Sequence, residues 1–163
     1  MTIAVRQMRS EDVSTSCSIL NQIIAIGGTT AIETPLSEPM FAQSFLDGPD
    51  TIFCHVALDT SGTVAGFQWL GSNKSLPDGC GDIATFTCRD PVLKGAGRAL
   101  FEATVKAARL NGIESINATI RADNHLGLSY YSKMGFMDHS VERGIPLKDG
   151  TPVDRISKRI VLP

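Results

Sequence analysis

Tyr131 stands seven residues after Asn124 and four before Gly135, in the run Asn124-His-Leu-Gly-Leu-Ser-Tyr-Tyr131-Ser-Lys-Met-Gly135-Phe136. Seven residues make two helical turns, so the amide and the phenol fall on one face of a helix. The same Asn also suits a helix N-cap, and either Tyr130 or Tyr131 would serve as a core aromatic. Upstream, Gly95-Ala-Gly97-Arg-Ala-Leu100 joins a strand to a helix through Gly-x-Gly. Two glycines let a ligand approach the backbone, and the helix start offers unpaired N–H groups at the positive end of its dipole. That chemistry suits a phosphate or pyrophosphate, although an ordinary tight turn reads the same way. The dinucleotide fingerprint requires a third glycine where Leu100 stands, and the P-loop requires Gly-Lys-Ser/Thr where the chain has Gly-Arg-Ala. Neither fits.

The elements that must hold these residues follow from periodicity. Residues 3–8 alternate as a strand. Ser10 is a plausible cap, with Glu11 and Asp12 in the first turn of a helix running to Ile26 and stopping at Gly27-Gly28. A second helix opens at Ser37-Glu38-Pro39 and ends near Gly48. Strands are expected at 52–58 and 63–70 about the turn Asp59-Thr-Ser-Gly62, then at 83–88 after a loop over 73–81. Ala96, Ala99, Leu100, Ala103, Ala107 and Leu110 form one helical stripe. A strand at 113–120, a helix at 124–134, and closing strands at 136–141 and 153–162 complete the chain. The order β-α-α-β-β-β-α-β-α-β-β specifies a mixed α/β sheet of the α+β type in one domain over residues 1–163.

Composition narrows the function class. The 163 residues are 42% apolar and 20% charged with a formal charge of −2, which gives no electrostatic footprint for nucleic acid. No apolar stretch is long enough to cross a bilayer, and no signal-peptide pattern opens the chain. Cys17, Cys54, Cys80 and Cys88 form no Cys-x-x-Cys pair, and His55, His125 and His139 have no metal-ligand spacing. The expectation is a soluble cytoplasmic domain with free thiols and no metal.

The glycine turn and the Asn-x6-Tyr-x3-Gly-Phe helix, in this order after successive strands, resemble the GNAT N-acetyltransferase superfamily over residues 81–136. The resemblance implies an acetyltransferase with acetyl-CoA as cosubstrate. Gly95, Ala96, Gly97, Arg98 and Ala99 would hold its pyrophosphate, with Lys94 beside them. Asn124 would face the cofactor arm, backbone N–H groups of Phe86, Thr87 and Cys88 would hold the thioester carbonyl, and Tyr131 would be the general acid. Val92 stands where the family usually has Arg or Gln, which removes one phosphate contact.

A looser segment, Thr30-Ala-Ile32-Glu33-Thr-Pro35, is similar to one in the phosphinothricin acetyltransferase-like branch, with Ile32 in place of an aromatic residue. This branch acetylates small amino-acid-like amines. Asp82 lies where it has a catalytic Glu, and Lys74 lies near its carboxylate-binding Arg, so Thr30, Ile32 and Lys74 are the implied substrate residues. Related enzymes often form homodimers.

Acetyl transfer needs a neutral amine. Deprotonating a lysine-like amine of pKa ~10.4 at pH 7 costs about 4.6 kcal/mol. Asp82 or Glu33 is the candidate base, and burial must raise its pKa for the task. A CoA-binding module without efficient catalysis is the rival reading, and a nucleotide-binding domain ranks third.

Overall fold

The computed structural model describes residues 2–163. Its seven strands are β1 (Ala4–Gln7), β2 (Thr51–Leu58), β3 (Val64–Gly71), β4 (Cys80–Thr87), β5 (Ser115–Arg121), β6 (Met137–Pro146) and β7 (Pro152–Val161). They form one sheet in the order β1-β2-β3-β4-β5-β7-β6. The helices are α1 (Val13–Ile26), α2 (Glu38–Phe45), α3 (Ala96–Leu110) and α4 (His125–Lys133). The mixed sheet and the element order agree with the sequence expectation.

Alternation along each strand sends side chains to opposite faces. Cys54, Val56, Phe67 and Phe86 meet Leu20, Ile23, Phe41 and Phe45 from α1 and α2. Phe53, Leu70, Ile83, Ile116, Ala118 and Ile120 meet Phe101, Ala108 and Tyr131 from α3 and α4. Each face thus buries its own apolar layer, and the strands need little polar surface except where they part.

Three boundaries differ from the sequence reading. A 3-10 turn at Ser10–Asp12 precedes α1, and Asp12 rather than Ser10 organises the entry. Its carboxylate accepts from Arg9 N–H at 2.8 Å and from Arg6 at 2.6 and 3.0 Å. Strand β4 begins at Cys80 instead of 83, so Asp82 is a strand residue and not part of a loop. Gly79 supplies the turn before it with φ +78°. Strand β6 runs on to Pro146, through register shifts opposite β7 that absorb Gly144.

The centre of the sheet carries the feature that positions the site. Strands β4 and β5 run parallel and pair only at Cys80↔Ser115, Gly81↔Ile116 and Asp82↔Asn117. Beyond Asp82, β4 stays with β3 through Thr87, while β5 stays with β7 through Arg121. A wedge therefore opens between the two strands toward their C-terminal ends, where α3 and α4 begin.

Candidate active site

The wedge mouth lies beside the Gly-x-Gly turn. Gly95 adopts φ +86° at the α3 N-cap, a left-handed conformation that a side chain would strain. Gly97 is small for another reason. A Cβ there would lie 2.7 Å from the Tyr130 ring, so this glycine makes room for a protein side chain. Ala96 N–H bonds Leu93 O and Ala99 N–H bonds Gly95 O, at 3.1 and 3.0 Å. Among the described residues, the N–H groups of Gly97 and Arg98 have no main-chain acceptor. The Lys94 and Arg98 side chains are exposed nearby. From Arg98 an open cleft of about 350 Å³ follows α3 past Glu102, Lys106 and Arg109 to Met134.

Within the wedge, hydrogen-bond alternation decides which main-chain groups face a ligand. Cys88 N–H donates to Ala65 O at 2.8 Å. In an antiparallel ladder this directs the N–H groups of Cys88 and Phe86 to β3 and those of Thr87 and Thr85 into the gap. Of the segment expected to hold a carbonyl oxygen, only Thr87 faces the wedge, and Thr85 joins it. The Phe86 side chain belongs to the core under α1 and α2.

Tyr131 and Thr85 meet at 2.8 Å between Oη and Oγ1. Burial holds the Tyr131 phenol above its ordinary range, and the charges of Tyr130 and Asp82 add to the effect, while Thr85 works against them. Tyr131 therefore keeps its proton at neutral pH. Tyr130 lies beside it, its Oη 2.7 Å from Gly97 O and 3.0 Å from Gln68 Nε2, with its pKa pushed up to about 12 by burial. The sequence reading singled out neither Gln68 nor Thr85. Both look like ordinary strand residues, and only cross-strand placement gives them partners.

Asn124 has other tasks than a cofactor contact. Its Oδ1 caps α4 by accepting from Gly127 N–H at 2.9 Å, and its Nδ2 donates to Thr29 O at 2.9 Å. Beside it, buried Arg121 forks onto Asp123 and donates to Thr30 O at 3.1 Å. The α1–α2 connector is thus tied to the end of β5. Thr30 Oγ1 accepts from Ile32 N–H, and the Ile32 side chain packs against the α1–α2 core. Glu33 is exposed and accepts from Lys148 N–H at 2.9 Å, at the β6–β7 turn. Lys74 is exposed on the β3–β4 loop with no partner among the described residues.

On the sheet face opposite Tyr131, register sets Asp82, Asn117 and Arg159 side by side on β4, β5 and β7. Asn117, 2% exposed, donates from Nδ2 to Asp82 Oδ1 at 3.2 Å and accepts from Arg159 Nε at 3.1 Å. Asn73 Nδ2 donates to the other Asp82 oxygen at 3.1 Å. Among the described residues Asp82 meets no cation and Arg159 no carboxylate. The described residues hold no cluster of His, Cys, Asp and Glu able to bind a metal, and no helix long and apolar enough to cross a membrane.

A parted parallel strand pair, a helix start with free N–H groups at its mouth and a buried phenol beside it make up the candidate site. A sequence model of the acetyltransferase (GNAT) family matches residues 21–136, and the chain belongs to that family. The fold matches a GNAT superfamily phosphinothricin acetyltransferase from Sinorhizobium meliloti in complex with acetyl-CoA, with TM-score 0.86 at 22% identity, covering 99% of this chain and 89% of that one. It matches an N-acetyltransferase from Staphylococcus aureus Mu50 with TM-score 0.85 at 18% identity over 100% of both chains. A ribosomal-protein-alanine N-acetyltransferase from Brucella melitensis matches with TM-score 0.83 at 18% identity, covering 98% and 99%. No curated protein matches by sequence.

Proposed function

We propose that this chain transfers the acetyl group of acetyl-CoA directly to a small primary amine that also carries a carboxylate. The observation that carries this reading is the wedge, with one donor set at its mouth and opposite proton-handling groups on its two faces. Free Gly97 and Arg98 N–H groups fit a pyrophosphate, and Lys94 and the basic cleft along α3 add positive charge for further phosphate. The inward N–H groups of Thr85 and Thr87 fit an extended amide-bearing arm and a carbonyl oxygen. Bound acetyl-CoA supplies the activated carbonyl and a thiol leaving group.

Asp82 sits at the wedge apex on the acceptor side, held by two amides that leave it without a counter-ion. It takes the ammonium proton. Asn117 places Arg159 one strand further on, where its guanidinium fits a carboxylate better than the exposed Lys74 does. A zwitterion with amine at Asp82 and carboxylate at Arg159 matches the two unpaired charges in sign and order. On the other face Tyr131 gives its proton to the departing sulfur. A thiol has a reference pKa of about 8.5 and a phenol about 10, so this transfer is uphill by roughly 2 kcal/mol before the site acts on it.

The four cysteines are free, in keeping with a reducing, cytoplasmic setting. Edge strand β6 exposes Met137 and Val141, which suits a homodimer contact, and sedimentation would give the assembly state. The decisive experiment is thiol release from acetyl-CoA across amino acids, their analogues, polyamines, aminoglycosides and peptides. Turnover on amino acids or analogues is expected. Turnover confined to polyamines or peptides defeats the acceptor class, and CoA binding without turnover on any amine reduces the chain to a binding module.

A further inference from the structure

A buried polar chain runs behind Tyr131, and its direction is fixed by the atoms at its far end. Gly97 O is a carbonyl and can only accept, so the Tyr130 proton points to it across 2.7 Å. With that proton engaged, the Gln68 atom 3.0 Å from Tyr130 Oη must be a donor, which orients the amide with Nε2 toward the tyrosine. Thr104 Oγ1, 2.6 Å from Gln68 Oε1, then donates to the amide oxygen. The second Nε2 hydrogen goes to Thr85 Oγ1 at 2.8 Å. Among the described residues, the Thr85 hydroxyl has one remaining partner, Tyr131 Oη at 2.8 Å.

We propose that Gln68, Thr85 and Tyr130 are positioning residues that fix the direction of every bond in this chain, with Gln68 Nε2 donating both ways, so that Thr85 donates into the Tyr131 oxygen and the Tyr131 proton stays free for the sulfur. The inference rests on the reading of Tyr131 as the acid. Its chemical purpose follows from the uphill transfer above. A hydrogen bond donated into a phenol oxygen strengthens as negative charge develops there, so it favours loss of the proton. Gln68 has no exposure to solvent, and the three bonds on its amide are what make that burial tolerable. Because the chain starts at Gly97, the first turn of α3 and the acidity of Tyr131 are mechanically linked. A shift of the anion-binding turn alters the orientation of the amide two bonds before the acid.

The test is a cycle of Thr85→Val and Thr85→Ser, each made in the wild type and in Tyr131→Phe. It reads thiol release with the best acceptor of the amine panel, and acetyl-CoA affinity by calorimetry. Thr85→Val is expected to lower kcat about tenfold, the scale of one lost charge-assisted bond, with Kd for acetyl-CoA within about twofold. Thr85→Ser restores the rate, and in the Tyr131→Phe background neither substitution costs more.

A second readout needs no cofactor. Tyr130 and Tyr131 are the only tyrosines in the chain, so ring-labelled tyrosine gives two NMR signals assignable by Tyr130→Phe and Tyr131→Phe. The Tyr131 signal is expected to move in Thr85→Val, to return in Thr85→Ser, and to move in Tyr130→Phe through Gln68. Equal kcat losses in both backgrounds, or a Tyr131 signal unmoved by Thr85→Val, would overturn the proposal. Full activity of Tyr131→Phe alone would instead remove the acid reading, while the NMR signals still report the direction of the chain.

Discussion

The two faces of the sheet beside the wedge are built differently. On the α3–α4 face, Gly97, Tyr130, Gln68, Thr85 and Tyr131 are linked by side-chain bonds from two helices and two strands, at distances between 2.7 and 3.0 Å. On the α1–α2 face the charges stand apart. Asp82 and Arg159 share only the amide of Asn117, while Glu33 and Lys74 are exposed. The first side-chain network is satisfied within the protein, and the second is left with opposite charges that have no ionic partner among the described residues.

The sharpest way to break the contrast is to remove the proposed acid. Tyr131→Phe is expected to lower kcat by ~10²–10⁴ with little change in acetyl-CoA affinity, measured by thiol release and calorimetry. On the acceptor face, Asp82→Asn should lower kcat/KM about 10²-fold while Glu33→Gln stays within about twofold, since Glu33 serves a turn. Equal effects would make both carboxylates parts of one relay. Arg159→Lys is expected to raise the acceptor KM about tenfold with kcat nearly unchanged, because a lysine loses the planar fork, and Lys74→Ala should do much less. The opposite ranking would return the carboxylate site to the β3–β4 loop.

Two smaller effects probe the packed face. Gly97→Ala puts a methyl group against the Tyr130 ring, and should cost about 1–3 kcal/mol of stability in urea titrations and weaken acetyl-CoA binding. Tyr130→Leu in the same chain should recover part of the stability. His55 lies in β2 directly opposite Gln68, with a buried Nδ1 that has no partner among the described residues and a pKa lowered by burial. Below its ordinary value of about 6.5 the unfolded chain takes up a proton that the folded chain resists, so stability falls as pH drops through that window. His55→Phe should flatten the decline of Tm between about pH 7 and pH 5.

The sequence was most informative where the chemistry is local. Gly95, Gly97, Asn124 and Tyr131 lie in two short runs whose helical spacing can be counted, and alternation found all seven strands. It was least informative where partners come from distant strands. The Asp82–Asn117–Arg159 row exists because β7 inserts between β5 and β6, an order that adjacency in sequence does not suggest. Phe86 and Cys88 looked equivalent to Thr87 until the pairing with β3 fixed which N–H groups point outward. Gly97 was read as room for a ligand, whereas its nearest neighbour is a tyrosine 33 residues away in sequence. Alternation ended β6 at Val141, because the register shift between Glu142 and Ile145 is invisible to a period-two pattern.

The short ladder between β4 and β5 has a mechanical consequence. Three residue pairs join a four-stranded plate, β1 to β4, to a three-stranded plate, β5 to β7. Every other neighbouring pair of strands in the sheet is held along a longer register. The crease between the plates is therefore the shortest ladder in the sheet. Bending about it widens or narrows the wedge like the jaws of a clothes peg, with the three pairs as the spring. A pulling force applied across the sheet should open that line first, at a load set by those pairs and by the side-chain bonds that span it.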